Sequence, residues 1–339
     1  DTRFNSGAMS PIVVTGMTNG LLYNCVVTAS NIAGSTPATG VSVIPRTVPG
    51  APAGLSATPG NQSASISFMA PGSNGGAAIS QYTATCTAAG QITRFGNSAV
   101  VAPIAVPLLA NGVTYSCSIV ATNVAGDGAA SVPVAVTPRT VPDAPTGLIA
   151  TPANASATIN FTDPVSNGGA AISLFTATCA AAGQTTRTGT ATASPVTVMS
   201  LTNGVAYSCA IVATNAAGDS AASTPVAVTP RTTPDAPTGL VATPGDASAS
   251  IAFTPGFNGG SAVLTFTSTC TAAGQTTRIA NAGASPIVVT SLTNGVQYSC
   301  TVTATTAAGT GAASAPVLVT SRTLPDAPTI GAATPGNSQ

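Results

Sequence analysis

The sequence predicts an all-β chain of tandem seven-stranded β-sandwiches set in a linear array. Three observations carry this. Seven cysteines recur with a period of about 92 residues: Cys25, Cys117, Cys209 and Cys300 in one series, Cys86, Cys179 and Cys270 in another. Short apolar runs alternate residue by residue with polar ones, the period a half-buried strand requires. Turn-forming Gly, Asn and Pro interrupt these runs roughly every ten residues, and no helical periodicity appears.

A period this long exceeds that of a solenoid unit, and each unit is large enough to hold its own small core. The period divides the chain into a partial repeat (1–47, later strands only), three whole repeats (48–141, 142–233 and 234–324) and the first strand of a further repeat (325–339).

The repeat from Pro142 shows the elements in order. It opens with Pro142-Asp143-Ala144-Pro145, where the fixed φ of proline and its missing donor suit a linker and an edge strand. In Ala157–Thr162, Ile159 and Phe161 share one face; Ile66/Phe68 and Ile251/Phe253 take the same places in the other repeats. Asn167-Gly168-Gly169 marks a turn, as do Asn74-Gly75-Gly76 and Asn258-Gly259-Gly260. A third run puts Phe175, Ala177 and Cys179 on one face. After Arg187 comes Val196-Thr197-Val198, then a long run in which Tyr207, Cys209, Ile211 and Ala213 alternate inward. Val226-Ala227-Val228 and the linker Pro230-Arg231-Thr232 close the repeat.

Each second-series cysteine precedes a first-series one by 30 or 31 residues, which pairs Cys86 with Cys117, Cys179 with Cys209 and Cys270 with Cys300. Cys25 has no mate within the sequence. Regular pairing favours an oxidising, secreted or cell-surface setting. The alternative is buried free thiols in a cytosolic protein.

Only 5% of residues are charged, against roughly 25% in ordinary domains. Every basic residue is Arg and every acidic residue Asp; His, Lys, Glu and Trp are absent, and the net charge is zero. Nucleic acid, which needs clustered cations, is excluded as a partner on this composition, as is an anionic membrane surface. No apolar stretch reaches the length of a membrane span. With no His, Lys or Glu, no general acid or base stands near working pH, so no catalytic residue is assigned. The lack of Cys-x-x-Cys leaves no metal or cofactor site. Calcium wants six to eight oxygens; Asp143, Asp235 and Asp326 supply one carboxylate per linker. The expectation there is an exposed ion pair, Asp143 with Arg139 and Asp235 with Arg231.

The chain resembles a fibronectin type III domain, an immunoglobulin-like sandwich, repeated along its length. The resemblance rests on Leu-x-Asn-Gly-x-x-Tyr, on the alternating Tyr-x-Cys-x-x-x-Ala-x-Asn segment, and on the small-residue loop after it. It implies that Tyr23, Tyr115, Tyr207 and Tyr298 form tyrosine corners, each ring buried with its hydroxyl bonded to nearby backbone. Placed on its strand order, the paired cysteines fall on the third and sixth strands, neighbours in one sheet, so the expected bond lies within that sheet. Phe68, Phe161 and Phe253 stand where that family usually carries Trp, and the family usually lacks a disulfide. The overall pattern is similar to repeats of large bacterial surface and secreted proteins.

Asp127 and Asp219 lie in the loop that carries adhesive tripeptides in some relatives, but Ala125-Gly126-Asp127 lacks the preceding Arg, which leaves a turn role. Arg94, Arg187 and Arg278 recur after the third strand as solvated side chains within reach of a glycan. Asn61-Gln62-Ser63 and Asn154-Ala155-Ser156 fit the N-glycosylation pattern. Residues 1–47 lack the early strands of a sandwich, so the expectation is that the polypeptide continues in both directions, with donation of strands by another chain as the alternative.

The functional expectation is a non-catalytic structural segment of an extracellular fibre, sheath or stalk. Its partners are neighbouring repeats and other copies of the chain, with glycans as a further class. An adhesin or carbohydrate-contacting module is the first alternative; it requires an exposed aromatic platform, and Phe4, Phe95 and Phe257 do not recur in register. A spacer in a polysaccharide-degrading enzyme is the second.

Overall fold

The computed structural model describes residues 2–325 and 327–331. The N-terminal segment holds β1 (Tyr23–Cys25), β2 (Thr28–Asn31), β3 (Gly34–Pro37) and β4 (Val41–Val43), paired β1 with β4 and β2 with β3. The first whole repeat holds β5 (Ala53–Gly60), β6 (Ser63–Met69), β7 (Ile79–Thr87), β8 (Arg94–Ser98), β9 (Ile104–Pro107), β10 (Tyr115–Asn123), β11 (Gly126–Asp127) and β12 (Val134–Val136).

The second repeat follows the same order. It comprises β13 (Thr146–Ala153), β14 (Ser156–Thr162), β15 (Leu174–Ala180), β16 (Arg187–Ala191), β17 (Val196–Met199), β18 (Tyr207–Asn215), β19 (Gly218–Asp219) and β20 (Val226–Val228). The third comprises β21 (Thr238–Gly245), β22 (Ser248–Thr254), β23 (Val263–Thr271), β24 (Arg278–Ala282), β25 (Ile287–Thr290), β26 (Gln297–Thr306), β27 (Gly309–Thr310) and β28 (Val317–Thr320). Residues 327–331 carry no strand, and the remainder of the expected first strand of a further repeat lies outside the described residues.

Each repeat is a sandwich of a three-stranded and a five-stranded antiparallel sheet. In the first repeat the orders are β5-β6-β9 and β8-β7-β10, with both β11 and β12 on the far edge of β10. The alternation read from sequence sets the layers. Along β10, Tyr115, Cys117, Ile119 and Ala121 are buried while Ser116, Ser118 and Val120 are not. Ile66 from β6 and Ile104 and Val106 from β9 meet them across the core. One aromatic pair closes the core between the two sheets: Phe68 and Tyr82 lie 4.8 Å apart, Phe161 and Phe175 4.7 Å, Phe253 and Phe266 4.9 Å. Tilted ring pairs at this distance contribute about 0.5–1.5 kcal/mol beyond their buried area.

The last strand of each sandwich is broken in two, which the sequence alone does not announce. A buried serine fills the break: Ser131, Ser223 and Ser314 each offer Oγ to a backbone N–H of the neighbouring strand, from Ile119 (2.9 Å), Ile211 (3.0 Å) and Val302 (2.9 Å). Without that oxygen a buried N–H would lose its partner where the edge strand swings away.

Two compact units divide the chain. One gathers the chain through Asp143 with Pro164–Ser173 and Ala213–Ala221; the other holds Ala144–Asp163, Leu174–Val212 and the chain from Ala222 onward. The division passes through the second repeat rather than between repeats. The Asn167-Gly168-Gly169 loop groups with the linker at Thr140, to which it is hydrogen-bonded.

Candidate functional site: the joint between repeats

Two features recur in register, a disulfide inside each repeat and a joint ahead of it. Cys86 on β7 lies directly opposite Cys117 on β10, with the sulfurs 2.00 Å apart. Cys179–Cys209 and Cys270–Cys300 repeat the bond at 2.05 and 2.01 Å. All six cysteines are fully buried. Cys25, on β1, is a half-buried free thiol. A groove of about 780 Å³ opens beside it, lined by Phe4, Ile12, Leu22 and Tyr23 among others.

The four tyrosine hydroxyls each accept a backbone N–H five residues upstream: Tyr23 from Thr18 (2.9 Å), Tyr115 from Ala110 (3.0 Å), Tyr207 from Thr202 (3.1 Å) and Tyr298 from Thr293 (3.2 Å). The Thr18 N–H holds the Tyr23 phenol below its ordinary pKa. The Thr293 hydroxyl and backbone N–H do the same to Tyr298, with a smaller contribution from the charge of Arg278. A glutamine accepts from the buried tyrosines, Gln91 from Tyr115 (3.4 Å), Gln184 from Tyr207 (3.5 Å) and Gln275 from Tyr298 (3.4 Å).

The corner ends in Asn-Gly, and this dipeptide serves two neighbours. The Asn111 side chain accepts the Gln62 N–H (2.8 Å) and donates to Asn61 (2.8 Å), which ties the corner to the first hairpin. Asn203 binds Ala155 and Asn154 in the same way, and Asn294 binds Ala247 and Asp246. Asn61 and Asn154 of the glycosylation pattern are therefore exposed turn residues whose side-chain oxygens are already engaged. The N–H of Gly112 donates to Pro138 of the outgoing linker (2.9 Å), as Gly20 does to Pro45 and Gly204 to Pro230.

The linker then docks on the repeat it enters. Thr47, Thr140 and Thr232 each donate their N–H, at 2.8 Å, to the middle glycine of the next Asn-Gly-Gly turn: Gly75, Gly168 and Gly259. The last glycine of that turn meets the corner of the preceding repeat. A Cβ on Gly20, Gly112 or Gly204 would press to 3.1 Å from the Cα of Gly76, Gly169 or Gly260. A Cβ on the latter three would overlap the nitrogen of the former. Both partners have positive φ, so glycine is required twice over, for conformation and for approach. The Asn-Gly-Gly motif, legible in sequence only as a turn, is one half of a backbone-to-backbone contact.

A buried asparagine locks two of these joints. Asn123 donates to the carbonyls of Thr47 (2.9 Å) and Asn74 (2.7 Å), and its oxygen accepts the Ala125 N–H (2.8 Å). Asn215 bonds Thr140 (2.8 Å), Asn167 (2.7 Å) and Ala217 (2.7 Å) in the same way.

The linker carboxylates are not in the expected ion pairs. Among the described residues neither Asp143–Arg139 nor Asp235–Arg231 forms one. The linker is extended, so residues four apart do not face each other as they would on a helix. Asp143 instead accepts the Ser166 N–H (3.1 Å) and donates its own N–H to Ser166 (2.9 Å). Asp127 and Asp219 accept the hydroxyls of Thr122 (2.7 Å) and Thr214 (2.6 Å) across the turn. Arg94, Arg187 and Arg278 begin the strands β8, β16 and β24, each opposite a disulfide cysteine. Phe4, Phe95 and Phe257 are exposed at unrelated positions.

A family model described as fibronectin type III domain matches residues 143–229. No curated protein matches the chain. Among solved structures, the FN1–FN3 domains of chicken CNTN1 are 17% identical, covering 81% of this chain and 99% of that one with a TM-score of 0.31. The second repeat matches the fibronectin type III domain, and the first and third repeats share its strand order.

Proposed function

We propose that the chain is a non-catalytic structural segment of an extracellular fibre, sheath or cell-surface stalk. The observation that carries this reading is the buried disulfide at the same register in all three whole repeats. Such bonds persist outside the reducing cytosol. Closing a loop of 30 or 31 residues stabilises a repeat by about 3–4 kcal/mol in the chain-entropy model. Small cores built mostly of Ala, Val and Ile need that contribution, because they bury less area per side chain.

The joints support the same reading. A module that only tethers others needs a flexible linker, whereas here the linker residues are hydrogen-bonded into the next repeat. The principal partners are the neighbouring repeats of the same chain and other copies of it; low charge leaves little repulsion between copies. Alkylation of native material without reduction, followed by peptide mapping of cell-surface, secreted and cytosolic fractions, tests the proposal. Disulfide-linked Cys86–Cys117 peptides should appear in the surface or secreted fraction. Recovery of all seven cysteines alkylated, in the cytosolic fraction, would overturn it.

A further inference from the structure

We infer that each disulfide is an internal length stop, shielded from reductants until its repeat unfolds. This deepens the structural reading above and rests on it for its relevance, although the device itself is a property of the isolated chain. Tension along the chain enters a repeat through its first strand and leaves through its last. In the first repeat that path runs from the linker at Thr47 to Cys86, crosses the sulfur bridge to Cys117, and leaves toward Val136. The intervening chain, with β8, β9 and the tyrosine corner, lies off the path. The bonded pairs are separated by 31, 30 and 30 residues in sequence but by only 4.1, 4.1 and 4.0 Å between Cα atoms. At about 3.6 Å per extended residue, each bridge withholds about 110 Å of chain when its repeat opens.

The bridge is also sealed. All six cysteines have 0% exposure, on paired strands of the larger sheet and within the core between the two layers. Thiol–disulfide exchange requires a thiolate to reach one sulfur in line with the other. Unfolding removes that barrier. A dithiol such as dithiothreitol then attacks one sulfur as its thiolate; the S–S bond breaks, and the other cysteine leaves as a thiolate and takes up a proton. The second thiol of the reagent attacks the mixed disulfide and closes a cyclic disulfide, leaving two cysteine thiols. The reagent is oxidised by two electrons, and the withheld chain is released.

Pulling the full 339-residue chain by its ends in a single-molecule force experiment, with and without dithiothreitol, reads both halves of this inference. Without reductant, each of the three whole repeats should lengthen on unfolding by about 110 Å less than a fully extended repeat of its size. With reductant, each unfolding event should be followed by a second lengthening of about 110 Å, with none beforehand. Full-length unfolding steps without reductant would overturn the length stop. Second lengthenings or full-length steps after incubation of the folded chain in dithiothreitol would overturn the shielding. Either result leaves the cellular placement to the peptide mapping above, so the two readings fail separately. The Cys86→Ser/Cys117→Ser chain, if it folds, should give one long step in that repeat whatever the reductant. If it does not fold, the second lengthening of the wild-type chain still decides the matter.

Discussion

The linkers at Thr140 and Thr232 have the same residues, Pro-Arg-Thr, and the same backbone bond to a glycine turn, yet they are not held alike. At Thr140, Asn215 reaches across with its amide nitrogen to two carbonyls while its oxygen holds the turn that follows it. At Thr232 the corresponding residue of the next repeat is Thr306. It is buried, and its hydroxyl accepts the Ala308 N–H (3.2 Å), so it keeps the turn and makes no bond to the linker. One side chain with a donor end and an acceptor end performs two tasks; a hydroxyl at the same place performs one. The Gly–Gly contact is common to both joints, so the difference isolates what the asparagine adds.

The largest effect should come from breaking what the joints share. Gly169→Ala and Gly260→Ala each place a Cβ at positive φ against backbone. The conformation costs about 1–2 kcal/mol and the overlap about 1–3 kcal/mol. Calorimetry of the whole chain should show a loss of similar size at either joint. A loss at only one of them would mean that the two contacts are not equivalent.

Converting one joint into the other should come next. Asn215→Thr leaves two partly buried carbonyls without their donor, at about 1–3 kcal/mol. Hydrogen exchange at the Thr140 amide should rise by about tenfold or more, since each 1.4 kcal/mol is a factor of ten. The reverse change, Thr306→Asn, should stabilise the third joint by about 1 kcal/mol. It should slow exchange at Thr232, which in the unaltered chain should exchange faster than Thr140. Equal rates at the two amides would remove the distinction altogether.

The smallest effect belongs to the corner itself. Tyr207→Phe keeps the buried ring and removes one hydroxyl, for a loss of about 0.5–1.5 kcal/mol. The exchange rate at Thr232, the linker amide of the joint this corner meets, should not change, because the Tyr207 hydroxyl and that amide share no bond. A coupled change there would show that the corner and the joint open together.

The strands, their order and the cysteine pairs were legible because each depends on residues that recur locally: an alternating run, a turn dipeptide, a thiol at fixed spacing. The joint was not. Asn167-Gly168-Gly169 reads as an ordinary turn and Asn111-Gly112 as part of a recurring motif ahead of a tyrosine, and nothing in either says that one sits against the other. Asn123 read as the end of a strand, although its nitrogen bonds a residue 76 positions away in sequence. The serine at the broken last strand, Ser131, sits in a small-residue loop like many exposed serines, and only the neighbouring strand shows which N–H it serves. The pairing of Asp143 with Arg139 failed for the opposite reason. It took spacing for proximity, and an extended linker does not bring such residues together.

The sequence by itself determined that this chain is a series of β-sandwiches and which thiols pair, because period, alternation and turn residues are local or strictly repeated properties. Only the tertiary structure decided that the repeats are joined through paired glycines, that two of the joints carry an asparagine lock, and that the disulfides are sealed from solvent. Those facts depend on which backbone approaches which. That approach is governed by close packing and by the need of every buried polar group for a partner, which no single stretch of residues records.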